Sequence, residues 1–205
     1  MKRWSFLVVV LGLVSQSAML AQQDPASGEE LHIGATTIDS IREWDANIGG
    51  MVQTRDLAVH VTFDDPVLQD RRHETFVQYY QGVRVYGGSL SRQTLRGVTV
   101  SIIGTLLTGI ALDPVPGLST DQALAVMRDV SGGTPVGTAV PELIIIRTLS
   151  GTYALSYRAM MSNGKTYYVD ASSGEVLWTV DEVKTQSAVG VATGALGDRK
   201  KIATM

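Results

Sequence analysis

The 205-residue sequence contains no cysteine. Disulfides, thiolate nucleophiles and cysteine-based zinc or iron–sulfur sites are therefore excluded, and burial and backbone pairing must stabilise the fold. The chain also lacks a large excess of positive or negative charge, because its formal net charge is −3. A nucleic-acid partner needs a concentrated basic face, so no such partner is expected. With 44% hydrophobic and 18% charged residues, the composition is that of a globular protein.

Histidine occurs only three times, at His32, His60 and His73. The dipeptide His73-Glu74 begins like the zinc-peptidase motif His-Glu-x-x-His, but Val77 occupies the position of the second histidine. In that motif the two histidines are four residues apart, so both imidazole rings lie on one face of a helix and can bind one zinc ion. The sequence therefore predicts no zinc site here, and we expect His73 on the surface of a strand.

The remaining polar residues form no recognisable catalytic or metal-binding motif. Neither Ser89 nor Ser150 lies in a Gly-x-Ser-x-Gly sequence. Residues 170–175 lack the carboxylates of a calcium loop, and we instead expect Asp170 to cap the following Ser173-Gly174 turn. The chain is therefore predicted to be non-catalytic and to hold no cofactor.

The N-terminus has the pattern of an export signal. Two basic residues precede the apolar stretch 6–14, and small residues follow. Cleavage is expected after Ala21, with the position after Ser17 as the alternative. Spanning a bilayer takes about twenty apolar residues, so residues 1–21 are predicted to be a signal peptide and not a permanent membrane anchor. The absence of cysteine in an exported protein favours a secreted or periplasmic protein of bacterial origin.

The first half of the chain changes from helical to strand periodicity. Residues 22–38 are polar and aperiodic, and we expect a flexible leader there. Residues 40–48 have the apolar spacing of a helix, with Asp39 or Ser40 as its cap and Gly49-Gly50 as its end. Closely spaced strands with period two must pair antiparallel. Four are predicted, at 57–64, 74–80, 83–90 and 98–107, the third broken by Gly87-Gly88.

The second half repeats this plan after a proline-containing break at 113–117. Ser119 and Gln122 form a capping box for a helix that ends at Gly132-Gly133. Its predicted apolar stripe consists of Ala123, Leu124, Met127 and Val130. Strands follow at 143–146, 153–160, 165–171 and 175–180, joined by hairpin-turn dipeptides.

Alternation along the third of these strands places Tyr168 on the face opposite Tyr167 and Val169. The fold class is thus predicted as α+β, with two subdomains at 39–112 and 113–182. Each is expected to be an antiparallel β-meander packed with a helix.

Three segments resemble parts of thermolysin-type secreted zinc metallopeptidase precursors. Residues 74–88 resemble the signature of the fungalysin/thermolysin propeptide domain, although Arg84 stands where that family often has proline. Residues 118–124, 153–157 and 167–176 look like the PepSY domain that follows in such propeptides. Residues 190–202 are similar to the opening of the mature enzyme. The residues that carry these signatures are Tyr80, Gly82, Val83, Val85, Tyr86, Gly87, Tyr168, Val169, Asp170, Gly174, Gly197 and Asp198.

The resemblance implies a propeptide that assists the folding of a catalytic domain and inhibits it until a cut separates the two. The expected partner is the catalytic domain of a thermolysin-type peptidase, in cis or in trans. Residues 183–205 are expected to hold the processing junction, with Val183 as the candidate processing site, and the start of the mature enzyme. Zinc and calcium are expected only in the catalytic domain, which would follow the given sequence.

Two alternatives to a functional propeptide remain open. The chain could be the N-terminal fragment of a secreted metalloendopeptidase precursor, without an independent function. It could also be a stand-alone periplasmic regulator of the PepSY type that acts on another protease.

Overall fold

The computed structural model describes residues 29–137 and 140–182, and the backbone of two further strands. Nine described strands form one sheet with two helices, which confirms the predicted α+β class. Strands β10 and β11 form a separate pair. The elements are β1 (Glu29–Ala35), α1 (Ile38–Thr54), β2 (Leu57–Asp64), β3 (Arg71–Tyr80), β4 (Val83–Leu95), β5 (Val98–Thr108), α2 (Thr120–Ser131), β6 (Glu142–Arg147), β7 (Tyr153–Met160), β8 (Lys165–Asp170), β9 (Val176–Asp181), β10 (Val189–Thr193) and β11 (Arg199–Ala203).

The two predicted meanders share this one sheet. Strands β2–β5 form the first meander, and β6–β9 form the second, each with antiparallel neighbours. They are joined where β4 and β6 pair in parallel, with Arg84 opposite Ile144 and Val85 opposite Ile145. The sequence pattern does not reveal this junction, because the paired residues are separated by the whole of β5 and α2.

Strand β1 lies within the segment that was expected to be a flexible leader, so that expectation is wrong for residues 29–35. The strand pairs antiparallel with β5, from Glu29 opposite Thr108 to Ala35 opposite Ile102. Its Ile33 and Ala35 side chains are buried. Pairing with a strand some seventy residues away therefore orders a segment whose local sequence is polar.

Helix α1 is longer than predicted at both ends. Its N-cap is Thr37, whose hydroxyl accepts from the backbone N–H of Ser40, so the expected cap at Asp39 or Ser40 is wrong. The pair Gly49-Gly50 lies inside the helix and does not end it. Glycine in a helix costs about 1 kcal/mol. Burial of Ile48 and packing of the last turn against the sheet offset this cost.

Helix α2 is capped as predicted. The hydroxyl of Ser119 accepts from the N–H of Gln122, whose side-chain oxygen accepts from the N–H of Ser119. Within the predicted apolar stripe Ala123 and Met127 are buried, but Val130 is exposed. Its place against the sheet is taken by Val126, one turn earlier on the helix.

Two buried clusters correspond to the two helices. The α1 cluster packs α1 against the first meander and contains Ile33, Ile48, Leu57, Phe76, Leu90 and Ile102. The α2 cluster packs α2 against the second meander and contains Met127, Ile145, Leu155, Tyr157, Tyr167 and Val169. Among the residues described, neither helix is long and apolar enough to cross a bilayer.

Strand β4 runs without interruption through Gly87-Gly88, where a break was predicted. A Cβ at Gly88 would collide with the side chain of Gln78 on β3. That side chain is buried and donates to the carbonyl of Leu107 at 2.7 Å, and it accepts from the N–H of Leu107 at 2.8 Å. Gly88 thus leaves room for the Gln78 side chain, which bonds to the backbone of Leu107 in place of a neighbouring strand, near the junction of the meanders.

Candidate functional site

The second meander has an apolar face that points away from α2. As predicted, Tyr167 and Val169 pack in the α2 cluster, while Tyr168 lies on the opposite face. In the described part of the chain, neither helix contributes to the cluster on that face. We call this cluster the aromatic face; its members are Tyr86, Ile144, Ile146, Ala154, Tyr168, Leu177, Trp178 and Val180.

The strand register builds the centre of the aromatic face. Glu142, Arg158, Tyr168 and Trp178 lie opposite one another in a row across β6, β7, β8 and β9. Paired residues of neighbouring strands share a face, so these four side chains emerge side by side. The parallel junction places β4 beside β6, and the ring of Tyr86 on β4 reaches Tyr168 in this row.

The three aromatic rings are packed against one another. The rings of Tyr168 and Trp178 are stacked, with centroids 5.1 Å apart, and Tyr86 meets Tyr168 edge-on at 5.7 Å. Such arrangements are favourable beyond the area they bury. The stacking also fixes the ring of Trp178, of which 45% is exposed to solvent.

Arg158 lies over this aromatic group. Its guanidinium carbon is 5.7 Å from the centroid of Tyr86 and 5.9 Å from that of Tyr168, distances typical of cation–π contacts. Its Nε donates to the hydroxyl of Tyr168 at 3.2 Å. Glu142 forms salt bridges with both Arg158 and Arg84, at 3.6 and 3.2 Å. The charge of Arg158 is therefore compensated at the rim of the face.

Burial at this position shifts the protonation equilibria of both partners. Desolvation raises the pKa of Tyr168 to about 12, and the hydrogen bond with Tyr86 acts in the same direction. Burial by itself would lower the pKa of Arg158, but the hydrogen bond to Tyr168 and the charge interactions with Tyr168, Tyr86 and Glu142 together outweigh it, and the pKa is raised. At neutral pH the pair is thus a cation beside a neutral phenol.

An irregularity in β9 brings Trp178 onto the aromatic face. Tyr168 lies opposite Trp178, but the next residue, Val169, lies opposite Val176, so Leu177 is an extra residue. Such a bulge reverses the alternation of side chains. Val176 accordingly packs with the α2 cluster, although it is only two residues from Trp178.

A shallow cavity of about 280 Å³ lies between Trp178 and the β6–β7 turn. Its apolar lining comes from Ile146, Leu149, Leu177 and Trp178. Leu149 is fully exposed at the tip of the turn. Arg147 also lines the cavity and forms a salt bridge with Glu30 at 3.2 Å. The site therefore offers mainly apolar contact area.

The structure brings together signature residues from two separate segments. Tyr80, Val83 and Val85 pack with Val169 in the α2 cluster, and Tyr86 contacts Tyr168 on the aromatic face. Gly82 has a φ of 85° in the turn between β3 and β4, and Gly87 has a φ of 90° within β4. The two resemblances found in the sequence therefore meet at one junction.

Asp170 caps its turn as predicted. One carboxylate oxygen accepts from the N–H groups of Ser172 and Ser173, at 2.9 and 2.7 Å, and from the hydroxyl of Ser173 at 3.0 Å. Gly174 completes the turn with a φ of 80°. Although desolvation opposes it, these hydrogen bonds lower the pKa of Asp170.

Four residues named from the sequence lie outside the described residues. They are Ala21, Val183, Gly197 and Asp198. The signal cleavage, the processing junction and the start of a mature enzyme therefore stay predictions.

His73 is less exposed than the sequence suggested. Only 18% of its side chain is exposed, its ring stacks on Phe63 at 4.8 Å, and its Nε2 is 3.1 Å from Asp65. The carboxylate of Asp65 also accepts from the N–H groups of Leu68 and Val67, which are the main cause of a pKa near 2. These contacts hold the β2–β3 loop. Across residues 29–137 and 140–182, no three potential metal-binding side chains come together.

Comparison with known proteins gives structural similarity but no sequence similarity. No family model matches the chain, and no curated protein is similar to it in sequence. Among solved structures, the Bacillus megaterium YpeB C-terminal domain is similar. The TM-score is 0.41 at 14% sequence identity, over 71% of this chain and 65% of that chain. This chain thus spans less than two thirds of that structure. The resemblance to a thermolysin-type propeptide stays a prediction from sequence.

Glu142, Arg158 and Trp178 belong to the site but are not singled out by the sequence patterns. None of them belongs to a signature, and each stands alone in a strand pattern. Short turns fix strand register and would have aligned Glu142 and Arg158 with Tyr168. The turn before β9 would have aligned Leu177 with Tyr168, because no turn residue signals the bulge that brings Trp178 there.

Proposed function

We propose that this chain is a non-catalytic protein-binding module that assists the folding of a thermolysin-type zinc metallopeptidase and inhibits it. The observation that supports a binding role is the aromatic face, where a half-exposed tryptophan lies beside packed tyrosines on a sheet face that neither of the two described helices covers. The class of the partner rests on the three sequence segments that resemble such precursors. The proposed place of action is outside the cytoplasm, because of the export pattern at the N-terminus.

The aromatic face has the residue types that dominate protein–protein binding energies. Tryptophan, tyrosine and arginine are enriched among the residues whose truncation costs most affinity. Here Trp178 and Arg158 are held by contacts with Tyr168 before any partner arrives. Little side-chain freedom would be lost on binding, which favours affinity.

The proposed partner would benefit from such a surface during folding. A large peptidase with many long-range contacts must order long loops before those contacts stabilise it, and it can stop in partly folded states. A folded partner that binds the native-like form lowers this barrier. The same interface, if it covers the substrate cleft, inhibits the enzyme; protease–inhibitor interfaces bury about 1,600 Å² and can be very tight.

Inhibition measurements with the purified chain test this proposal. We expect inhibition of a thermolysin-type peptidase at about micromolar concentration or below. Trp178→Ala should weaken inhibition by roughly tenfold or more, because it removes the exposed anchor of the aromatic face. When the denatured peptidase is refolded in the presence of a low concentration of this chain, the yield of active peptidase should rise.

Phe63→Ala is the matched control. Phe63 is 50% exposed, close to the 45% of Trp178, but it lies on β2 in the first meander. The Phe63→Ala variant should inhibit the peptidase as strongly as the unaltered chain does. Absence of both inhibition and assisted refolding would refute the proposed function, and equal losses in the two variants would refute the role of the aromatic face.

A further inference from the structure

Strand β9 is the last strand of the nine-stranded sheet, and no described strand pairs with its outer edge. The N–H of Glu182 donates to Gly164 on the β8 side at 2.9 Å. In an antiparallel ladder, alternate residues direct both backbone groups to the same neighbour. Val180 and Trp178 therefore bond to β8, and Thr179 directs its N–H and C=O to the open edge.

This edge lacks the usual protection against pairing. Natural edge strands often carry lysine or proline, or are covered by another element. The sequence of β9 is VLWTVD, which contains neither lysine nor proline, and its bulge at Leu177 lies before the regular part. The 280 Å³ cavity beside Trp178 adjoins the same strand. The cavity lies inward of β9, towards β6, whereas the half-exposed Trp178 is on β9 itself. Open backbone groups beside an exposed apolar side chain can hold an added strand through backbone pairing and side-chain contact.

The charges at the two ends of β9 select the kind of strand that can be added. Glu175 precedes the strand, and Asp181 and Glu182 end it. Pairing with β9 of a second copy in antiparallel register would bring Glu175 of one chain near Asp181 and Glu182 of the other. Like charges in such positions are destabilising, whereas basic residues at both ends of an added strand would be attracted.

We infer that the open edge of β9 binds an extended segment of a partner protein as an added β-strand. The segment pairs with the backbone of Thr179, packs an apolar side chain against the exposed part of Trp178, and carries basic residues at its ends. This inference rests on the proposed function only in taking the partner to be a protein.

A synthetic peptide tests the inference directly. In the peptide, threonine alternates with valine around one central phenylalanine, with a lysine at each end; a second peptide has glutamate ends. The lysine-ended peptide should bind the full chain, and the glutamate-ended peptide should bind markedly more weakly. Thr179→Pro should weaken binding by roughly tenfold or more, because it removes the N–H at the open edge and leaves the pairing with β8 in place.

Thr62→Pro is the matched control. The backbone N–H of Asp65 donates to Arg71 on β3. Because the direction of the backbone groups alternates along the strand, the N–H and C=O of Thr62 point to the open edge of β2, just as those of Thr179 point to the open edge of β9. This variant should bind the peptide like the unaltered chain. Amide exchange by NMR provides a second readout without substitution. The peptide should slow exchange of the Thr179 N–H and leave that of Val180, already bonded to β8, unchanged.

Several outcomes would overturn the inference. These are no binding of the lysine-ended peptide at millimolar concentration, equal binding of the two peptides, an equal effect of the two proline variants, or unaltered exchange at Thr179. If the chain nevertheless inhibits the peptidase, the proposed function stands and only the edge of β9 is excluded. If the peptide binds at β9 without peptidase inhibition, the class of partner is wrong and the edge site stands.

Discussion

The two meanders use the same construction on one face of the sheet and differ on the other. In each, one helix covers a set of large buried side chains. On the other face of the first meander, the register places small hydroxyl residues such as Thr75, Ser91 and Thr105 next to the half-exposed Val61, Phe63 and Ile103. On the same face of the second meander, Tyr168 stacks on Trp178 and meets Tyr86 of β4 edge-on. The apolar side chains on the first meander thus alternate with small polar ones, whereas those on the second form one continuous aromatic group.

This difference separates the structural and the functional role of the sheet. Large apolar side chains on a surface without a covering element commonly mark an interaction site. Within the aromatic face, Ile144, Ile146 and Tyr168 are buried and contribute to stability, whereas Trp178 is half-exposed and can contact a partner. If the meanders are one folding unit and only the second carries the aromatic face, substitutions in the buried clusters should have the largest effects and substitutions on the aromatic face the smallest.

Removing a buried isoleucine from either helix-covered cluster should destabilise the whole chain. Ile145→Ala in the α2 cluster and Ile102→Ala in the α1 cluster should each lower the free energy of unfolding by about 2–5 kcal/mol, from lost burial and a cavity. Because β4 and β6 join the meanders, both variants should unfold in one transition. Urea denaturation can follow the fluorescence of Trp44, on the helix that covers the first meander, and of Trp178 in the second meander, each in a version in which the other tryptophan is replaced by phenylalanine.

Ile38→Ala is the control for these variants, because Ile38 is exposed at the start of α1 and should change the unfolding free energy little. Different midpoints for Trp44 and Trp178 fluorescence in either core variant would mean that the meanders unfold independently.

Truncating Gln78 should have an intermediate effect, near the junction of the meanders. Gln78→Ala leaves the buried N–H and C=O of Leu107 without partners, and each such group costs about 1–3 kcal/mol. We expect a loss of roughly 2–4 kcal/mol in unfolding free energy, measured by denaturant titration. Gln53→Ala on the exposed side of α1 should be nearly neutral. Equal stabilities of the two variants would contradict the role of Gln78.

The smallest expected effect is a change in the pH dependence of stability, caused by Tyr168 in the second meander and visible only at alkaline pH. Because the pKa of Tyr168 is raised from 10.0 to about 12, the folded chain keeps a proton that the unfolded chain loses in this range. Stability from this residue is fully present below pH 10 and is lost as pH rises towards 12. Tyr168→Phe should remove this part of the loss. Thermal denaturation of both proteins at intervals of about one pH unit between pH 9 and pH 12 measures this difference. Parallel curves of stability against pH for the two proteins would contradict the role of Tyr168.

Much of the fold followed from local signals. The capping box of Ser119 and Gln122, the hairpin turns and the alternation of Tyr167 and Tyr168 are each decided by neighbours in sequence. The predictions were wrong where distant contacts decide the structure. Strand β1 depends on β5, and α1 continues through Gly49-Gly50 because its last turns pack on the sheet. The stripe of α2 includes Val126 in place of Val130 for the same reason.

The sequence by itself determined the α+β class, the second helix and the strands of both meanders, because caps, turns and periodicity act over a few residues. Only the tertiary structure decided that the meanders form one sheet and that Tyr86, Arg158, Tyr168 and Trp178 form one surface. The reason is register: cross-strand neighbours are set by pairing between segments far apart in the chain, and a single bulge at Leu177 selects the face on which Trp178 lies.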